Sequence, residues 1–129
     1  MLRPTKALLR ASLHILAISI TIGIGVLSLV KPPTIEVSVS NFDKLLHVFA
    51  YFCLATSWLM ALRNRNKPYL IIVGCVIYGI VIEMLQLSMT DYRTGDLNDV
   101  LANTTGAIIG FLLFNYLNKN ILLKTNQQP

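Results

Sequence analysis

Residues 69–87 read YLIIVGCVIYGIVIEMLQL. From Tyr69 to Ile82 no side chain carries a charge; Glu83 then interrupts the run, and Gln86 follows three residues later. A segment this long and this apolar predicts a membrane-crossing helix, because about 20 residues at 1.5 Å each cover the hydrocarbon thickness of a bilayer. A carboxylate one turn from the end of such a helix is costly in lipid and therefore predicts an inward-facing, functional position.

The rest of the chain fits the same solvent. Of its 129 residues, 54% are hydrophobic and 13% are charged, with a mean hydropathy of +0.62. A soluble domain carries roughly 25% charged residues. The length predicts one domain, 1–129, with all-α architecture. The net charge of +5 does not indicate nucleic acid, since the basic residues fall in short clusters between apolar runs and no aromatic-interleaved basic patch occurs. Cys53 and Cys75 lie inside apolar runs without metal-type spacing and read as small packing residues.

Four apolar stretches, about 12–30, 45–62, 69–89 and 100–117, each of roughly 18–21 residues, predict four transmembrane helices in an antiparallel bundle. The first follows Arg3, Lys6 and Arg10 but exceeds a signal-peptide core and has no small-residue cleavage site after it, so it reads as an uncleaved span. The fourth contains Asn103 and Asn115; Gly106 and Gly110 nevertheless suit close helix packing. Arg3, Lys6, Arg10, Arg63, Arg65, Lys67, Lys119 and Lys124 occupy the N-terminus, the 2–3 loop and the C-terminal tail, with no acid among them. The positive-inside rule then predicts both termini in the cytoplasm and loops 31–44 and 90–99 outside. The tail TNQQP is expected to fray.

With that topology, helix 2 begins, helix 3 ends and helix 4 begins at the outer face. NFDKLLHVFAY places Asp43, His47 and Tyr51 on one face of helix 2. Gly79, Glu83 and Gln86 share a face of helix 3. DLNDVLANTTGAIIG puts Asp96, Asp99, Asn103, Gly106 and Gly110 in one stripe of helix 4, with Arg93 just before it. Lys44 lies at the same level. Three polar stripes at one depth should face one another.

Some of these residues have plainer readings. Ser40-x-x-Asp43 and Asp96-x-x-Asp99 have the form of capping boxes, and acids suit helix N-termini. Glu83 lies near a helix C-terminus, where the dipole disfavours negative charge, so capping does not explain it. It is expected to meet a cation (Arg93, Lys44 or protonated His47) or to hold a proton. A structural interhelical ion pair is its plainer reading. His47 as a satisfied interfacial histidine, Asn103 as an interhelical amide bridge, Gly106-x-x-x-Gly110 as packing, and Tyr51 and Trp58 as ordinary aromatics are the corresponding structural readings.

DKLLHVFAY, then GIVIEMLQ, then R-x-x-D-x-x-D-x-x-x-N-x-x-G-x-x-x-G, in that order and in these spans, resembles the VanZ-like family of small bacterial membrane proteins. The resemblance covers about 43–110. It implies a location in the bacterial cytoplasmic (inner) membrane and a process at the cell envelope, since the family's namesake is an accessory factor in resistance to the glycopeptide teicoplanin. It supplies no reaction.

Two readings follow. In the first, an outward-facing polar pocket of Asp43, Lys44, His47, Tyr51, Glu83, Gln86, Arg93, Asp96, Asp99 and Asn103 binds or modulates a lipid-linked envelope component or the antibiotic. Arg93 and Lys44 would hold its anionic group, and Asn103 and Gln86 would orient it. In the second, the protein is an intramembrane enzyme using His47, Glu83 and Asp99 as acid and base on a lipid head group. A variant of the second places a divalent metal between Asp43, His47 and Glu83; the main expectation is no metal and no cofactor. The partner expected is a membrane lipid or lipid-linked component, not nucleic acid. A proton or ion path is poorly supported, because below Tyr51, Gly79 and Gly106 the spans are largely apolar.

Overall fold

A computed structural model of the chain describes residues 4–30, 42–63, 67–89 and 97–126. They form four α-helices: α1 (Pro4–Leu29), α2 (Phe42–Ala61), α3 (Tyr69–Met89) and α4 (Leu97–Asn126). All four are long and apolar enough to cross a membrane. The protein is an all-α, multi-pass bundle in which successive helices run antiparallel.

α1, α2 and α4 are longer than their apolar runs. α1 begins at Pro4, eight residues before its oily stretch, since proline suits the first helical position. α3 starts just after Pro68, where the Leu70 and Ile71 amides donate to the Lys67 and Pro68 carbonyls at 3.2 and 3.1 Å. The largest difference from the sequence reading is at α4. It continues past 117 to Asn126, so the part of the tail expected to fray is helical through Thr125 and Asn126. LNKNILLK has no helix breaker, and a helix leaving the bilayer can continue in water.

The tightest pair is α2 with α4, and two glycines set its spacing. A Cβ on Gly106 would stand 2.1 Å from the Val48 carbonyl oxygen of α2, and one on Gly110 would stand 3.1 Å from that of Phe52. Only hydrogen fits at Gly106, so the two backbones meet directly, as in small-xxx-small packing of membrane helices. α3 closes on this pair at Gly79, where a Cβ would lie 3.2 Å from both Asn103 Nδ2 and Tyr51 Cε1. The buried core follows from these approaches: Tyr51, Leu54, Ala55, Cys75 and Ala107.

α1 is different. It packs on α2 and α3 and, among the described residues, does not reach α4. Only 6% of its apolar window is buried inside the bundle, against 28% for each of the others, so most of its surface faces lipid. Its attachment is partly polar. Trp58 Nε1 donates to Thr21 Oγ1 at 2.9 Å, and the Tyr78 hydroxyl donates to the Thr21 carbonyl. Thr21 Oγ1 in turn donates to the Ala17 carbonyl at 2.7 Å, so one hydroxyl serves α1 and receives α2.

Candidate functional site

The start of α2, the end of α3 and the start of α4 lie at the same end of the bundle. There Asp43, Lys44, His47, Asp99 and Asn103 form one connected cluster. Lys44 Nζ donates to Asp99 Oδ1. His47 Nδ1 lies 2.8 Å from Asn103 Oδ1. An amide oxygen only accepts, so Nδ1 carries the proton and donates. In the neutral ring this leaves the Nε2 lone pair facing the other way. There it stands 3.9 Å from Asp43 Oδ1 and 4.0 Å from Asp99 Oδ2.

The cluster grades from water into the core. The Asp43 side chain is 66% exposed, whereas those of His47 and Asp99 are 13% and 10% exposed. Asn103 is almost fully buried. Asp99, in the first turn of α4, thus makes a cross-helix contact to α2 that capping alone does not require. The partners Ser40 and Asp96 of the two capping boxes lie outside the described residues, as does Arg93.

Behind this cluster Tyr51 is buried one turn below His47, its ring against Gly79. Among the described residues the Tyr51 hydroxyl and Asn103 Nδ2 meet no hydrogen-bond partner. Glu83 is buried on the inner face of α3 with Gly79 and Gln86, within electrostatic reach of the Tyr51 hydroxyl. The carboxylate expected to avoid lipid does so.

Two placements differ from the sequence reading. Gln86 Nε2 donates to the Ser28 carbonyl of α1 at 2.8 Å, so this amide ties α3 to α1 as well as sharing a face with Glu83. The metal-ligand geometry also falls on a different trio. Asp43, His47 and Asp99 each offer one ligand atom, all within 4.8 Å of one another; among the described residues Glu83 is not in that group. The reason is helix origin. Asp99 enters from α4, which Gly106 brings into backbone contact with α2, whereas Glu83 enters from α3.

The polar contacts of α1, through Thr21 and Ser28, were not foreseen. A lone Thr or Ser in an apolar run gives no spacing signal, and its cross-helix partner is fixed only by packing. Thr21, Leu54, Trp58, Gly74, Cys75 and Tyr78 also border an apolar cavity of about 440 Å³ in the opposite half of the bundle, distinct from the polar cluster.

No solved structure matches the chain. An uncharacterized protein of the fission yeast Schizosaccharomyces pombe is 33% identical over 88 residues, which is 67% of this chain and 54% of the yeast protein. The chain therefore spans about half the length of that relative. The VanZ/LLP1 family profile matches residues 3–119, nearly the whole chain and the polar-cluster residues of both α2 and α4, and the protein belongs to that family.

Proposed function

We propose that the polar end of the bundle binds the anionic head of a lipid-linked cell-envelope component, or of a lipoglycopeptide that mimics one, and modulates its availability. The observation that carries this reading is the convergence of Lys44, His47, Asp99 and Asn103 from α2 and α4 at one membrane level, beside the buried Glu83. Burying so many polar groups is expensive in a bilayer and is characteristic of ligand or ion sites. Asn103 Nδ2 and the Tyr51 hydroxyl are buried polar atoms suited to ligand oxygens. Lys44 is partly exposed and can exchange Asp99 for a phosphate. Arg93, outside the described residues, is placed by sequence beside the same end and would add a bidentate fork.

This reading puts the polar end outside, the termini in the cytoplasm and the protein in the inner membrane of a bacterium. The basic residues of the opposite end support that orientation. It also links the protein to glycopeptide susceptibility, through the family resemblance. Native mass spectrometry of the detergent-purified protein tests it. Wild-type protein is expected to carry an isoprenoid-phosphate lipid that Lys44→Ala and Arg93→Glu lose while helix content stays unchanged. The same lipids on wild type and both variants, with unchanged teicoplanin susceptibility in cells, would sink the reading.

One observation favours a second reading, an intramembrane enzyme. The Asp43, His47 and Asp99 ligand atoms converge as a divalent-metal site would require, with N and O donors suited to Zn or Mn. Asn103 orients the imidazole from its far nitrogen, as outer partners of ligating histidines do. Such an ion would polarise a head-group phosphoryl oxygen, and Glu83 would be the general base. Stoichiometric metal that disappears in His47→Ala, with turnover abolished in Glu83→Gln, is expected here. Full activity in metal-free protein excludes the metal, and unchanged turnover in Glu83→Gln excludes Glu83 as its base.

A further inference from the structure

At the end of the bundle opposite the polar cluster, the start of α1 and the end of α2 enclose a cavity of about 640 Å³. Its rim is basic. Lys6, Arg10 and His14 succeed one another at four-residue spacing along α1, and Arg63 faces them from the turn after α2. Its walls are apolar, with Leu9 and Leu13 from α1, Met60 from α2 and Leu62 from the turn after it. Among the described residues no carboxylate lines it and none of Lys6, Arg10 and Arg63 takes part in an ion pair. His14 Nδ1 donates to the Arg10 carbonyl at 2.7 Å, which fixes the ring and leaves Nε2 for another partner.

We infer that this cavity seats the phosphodiester head group of an anionic phospholipid, from the leaflet that meets the N-terminus. The argument is one of matched chemistry. A soluble anion needs only the basic rim. A phospholipid also needs an apolar wall continuous with the bilayer, beginning where the head group ends. Here the polarity changes along α1 in that sense, from Lys6 and Arg10 at the end of the helix to Leu13 and the half-buried His14 one turn deeper. Arginine suits the phosphate by its planar fork, and lysine the outer charge. Basic pockets between membrane helices bind anionic lipid head groups in this way. The peripheral position of α1 gives such a lipid a second role: it bridges α1 to α2 at the end where Thr21, Trp58 and Ser28 do not reach.

The site is independent of the envelope-ligand reading, because it lies at the other end of the bundle and shares no residue with it. The test uses full-length protein in nanodiscs of phosphatidylcholine containing either phosphatidylglycerol or none. Retained lipid is read by native mass spectrometry after transfer to detergent. The paired variant Arg10→Gln/Arg63→Gln removes two rim charges. Lys67→Gln/Lys119→Gln removes two exposed charges at the same membrane level outside the cavity. Circular dichroism verifies that both remain folded.

Wild type and the Lys67/Lys119 variant are expected to retain phosphatidylglycerol in about one-to-one stoichiometry, and the Arg10/Arg63 variant about tenfold less. Equal loss in both variants would mean diffuse surface attraction and overturn the site. Equal retention of phosphatidylcholine and phosphatidylglycerol would overturn its charge selectivity. Displacement of the lipid by millimolar inorganic phosphate or glycerol phosphate would identify a soluble-anion site and overturn the lipid assignment.

Discussion

The α2–α4 pair and the α1 side of the bundle solve the same problem, holding helices together in lipid, by different means. α2 and α4 meet backbone to backbone at Gly106 and carry Lys44–Asp99 and His47–Asn103 across their seam. α1 leans on α2 and α3 through Thr21 and Ser28, and beside it lies an apolar cavity. Water is absent as a driving force between membrane helices, so close packing and polar contacts must supply the association. The first pair uses both means at once and is the rigid frame of the polar cluster. The second relies on scattered hydrogen bonds and leaves room between helices.

That contrast predicts a ranking of substitutions. The largest effect belongs to Gly106→Val, which drives a branched side chain into the Val48 carbonyl. The α2–α4 pair should part or fail to form, at a cost of about 3 kcal/mol or more, seen as loss of a cooperative thermal transition in detergent. If Gly106→Val melts like wild type, the close seam is not the frame.

Asn103→Leu comes next. It removes the acceptor of His47 and leaves a part-buried imidazole N–H unpaired, at about 1–3 kcal/mol by reversible unfolding in mixed micelles. The same substitution should weaken lipid retention at the polar end, because the imidazole loses its fixed orientation. Gln86→Leu, which cuts the bond to the Ser28 carbonyl, should cost about 0.6–1.7 kcal/mol. Faster hydrogen exchange confined to the α1 end near Ser28 would locate that loss on the looser side, whereas uniform acceleration would show that α1 is as integral as α4.

Gly74→Ala is the smallest change. Gly74 borders the apolar cavity, and an added Cβ there meets nothing within 4 Å. Stability should stay within about 0.5 kcal/mol of wild type. A large loss would mean that the cavity is closed by something other than lipid.

Much of this molecule was legible from spacing. The run from Tyr69 to Met89 coincides with α3 end to end, because its bounds are a proline on one side and the end of the apolar run on the other. The Gly106-x-x-x-Gly110 stripe announced a close helix neighbour, and Glu83 had to turn inward because lipid offers a carboxylate no partner. Spacing could not say which neighbour the glycines meet. It could not place Lys44 on Asp99, since two stripes facing a common centre allow several pairings and side-chain reach selects among them. The extension of α4 to Asn126 was missed because hydropathy marks the bilayer crossing and not the end of the helix.

The sequence by itself determined the solvent, the number of crossings and the depth of the polar groups, because each follows from the cost of placing charge or bare backbone in hydrocarbon. Tertiary structure alone decided the company those groups keep. It joined Asp43, His47 and Asp99 into one trio, held Gln86 to α1 and shaped the basic cavity between α1 and α2. Those outcomes depend on how far one helix backbone can approach another, and periodicity within a single helix carries no record of that distance.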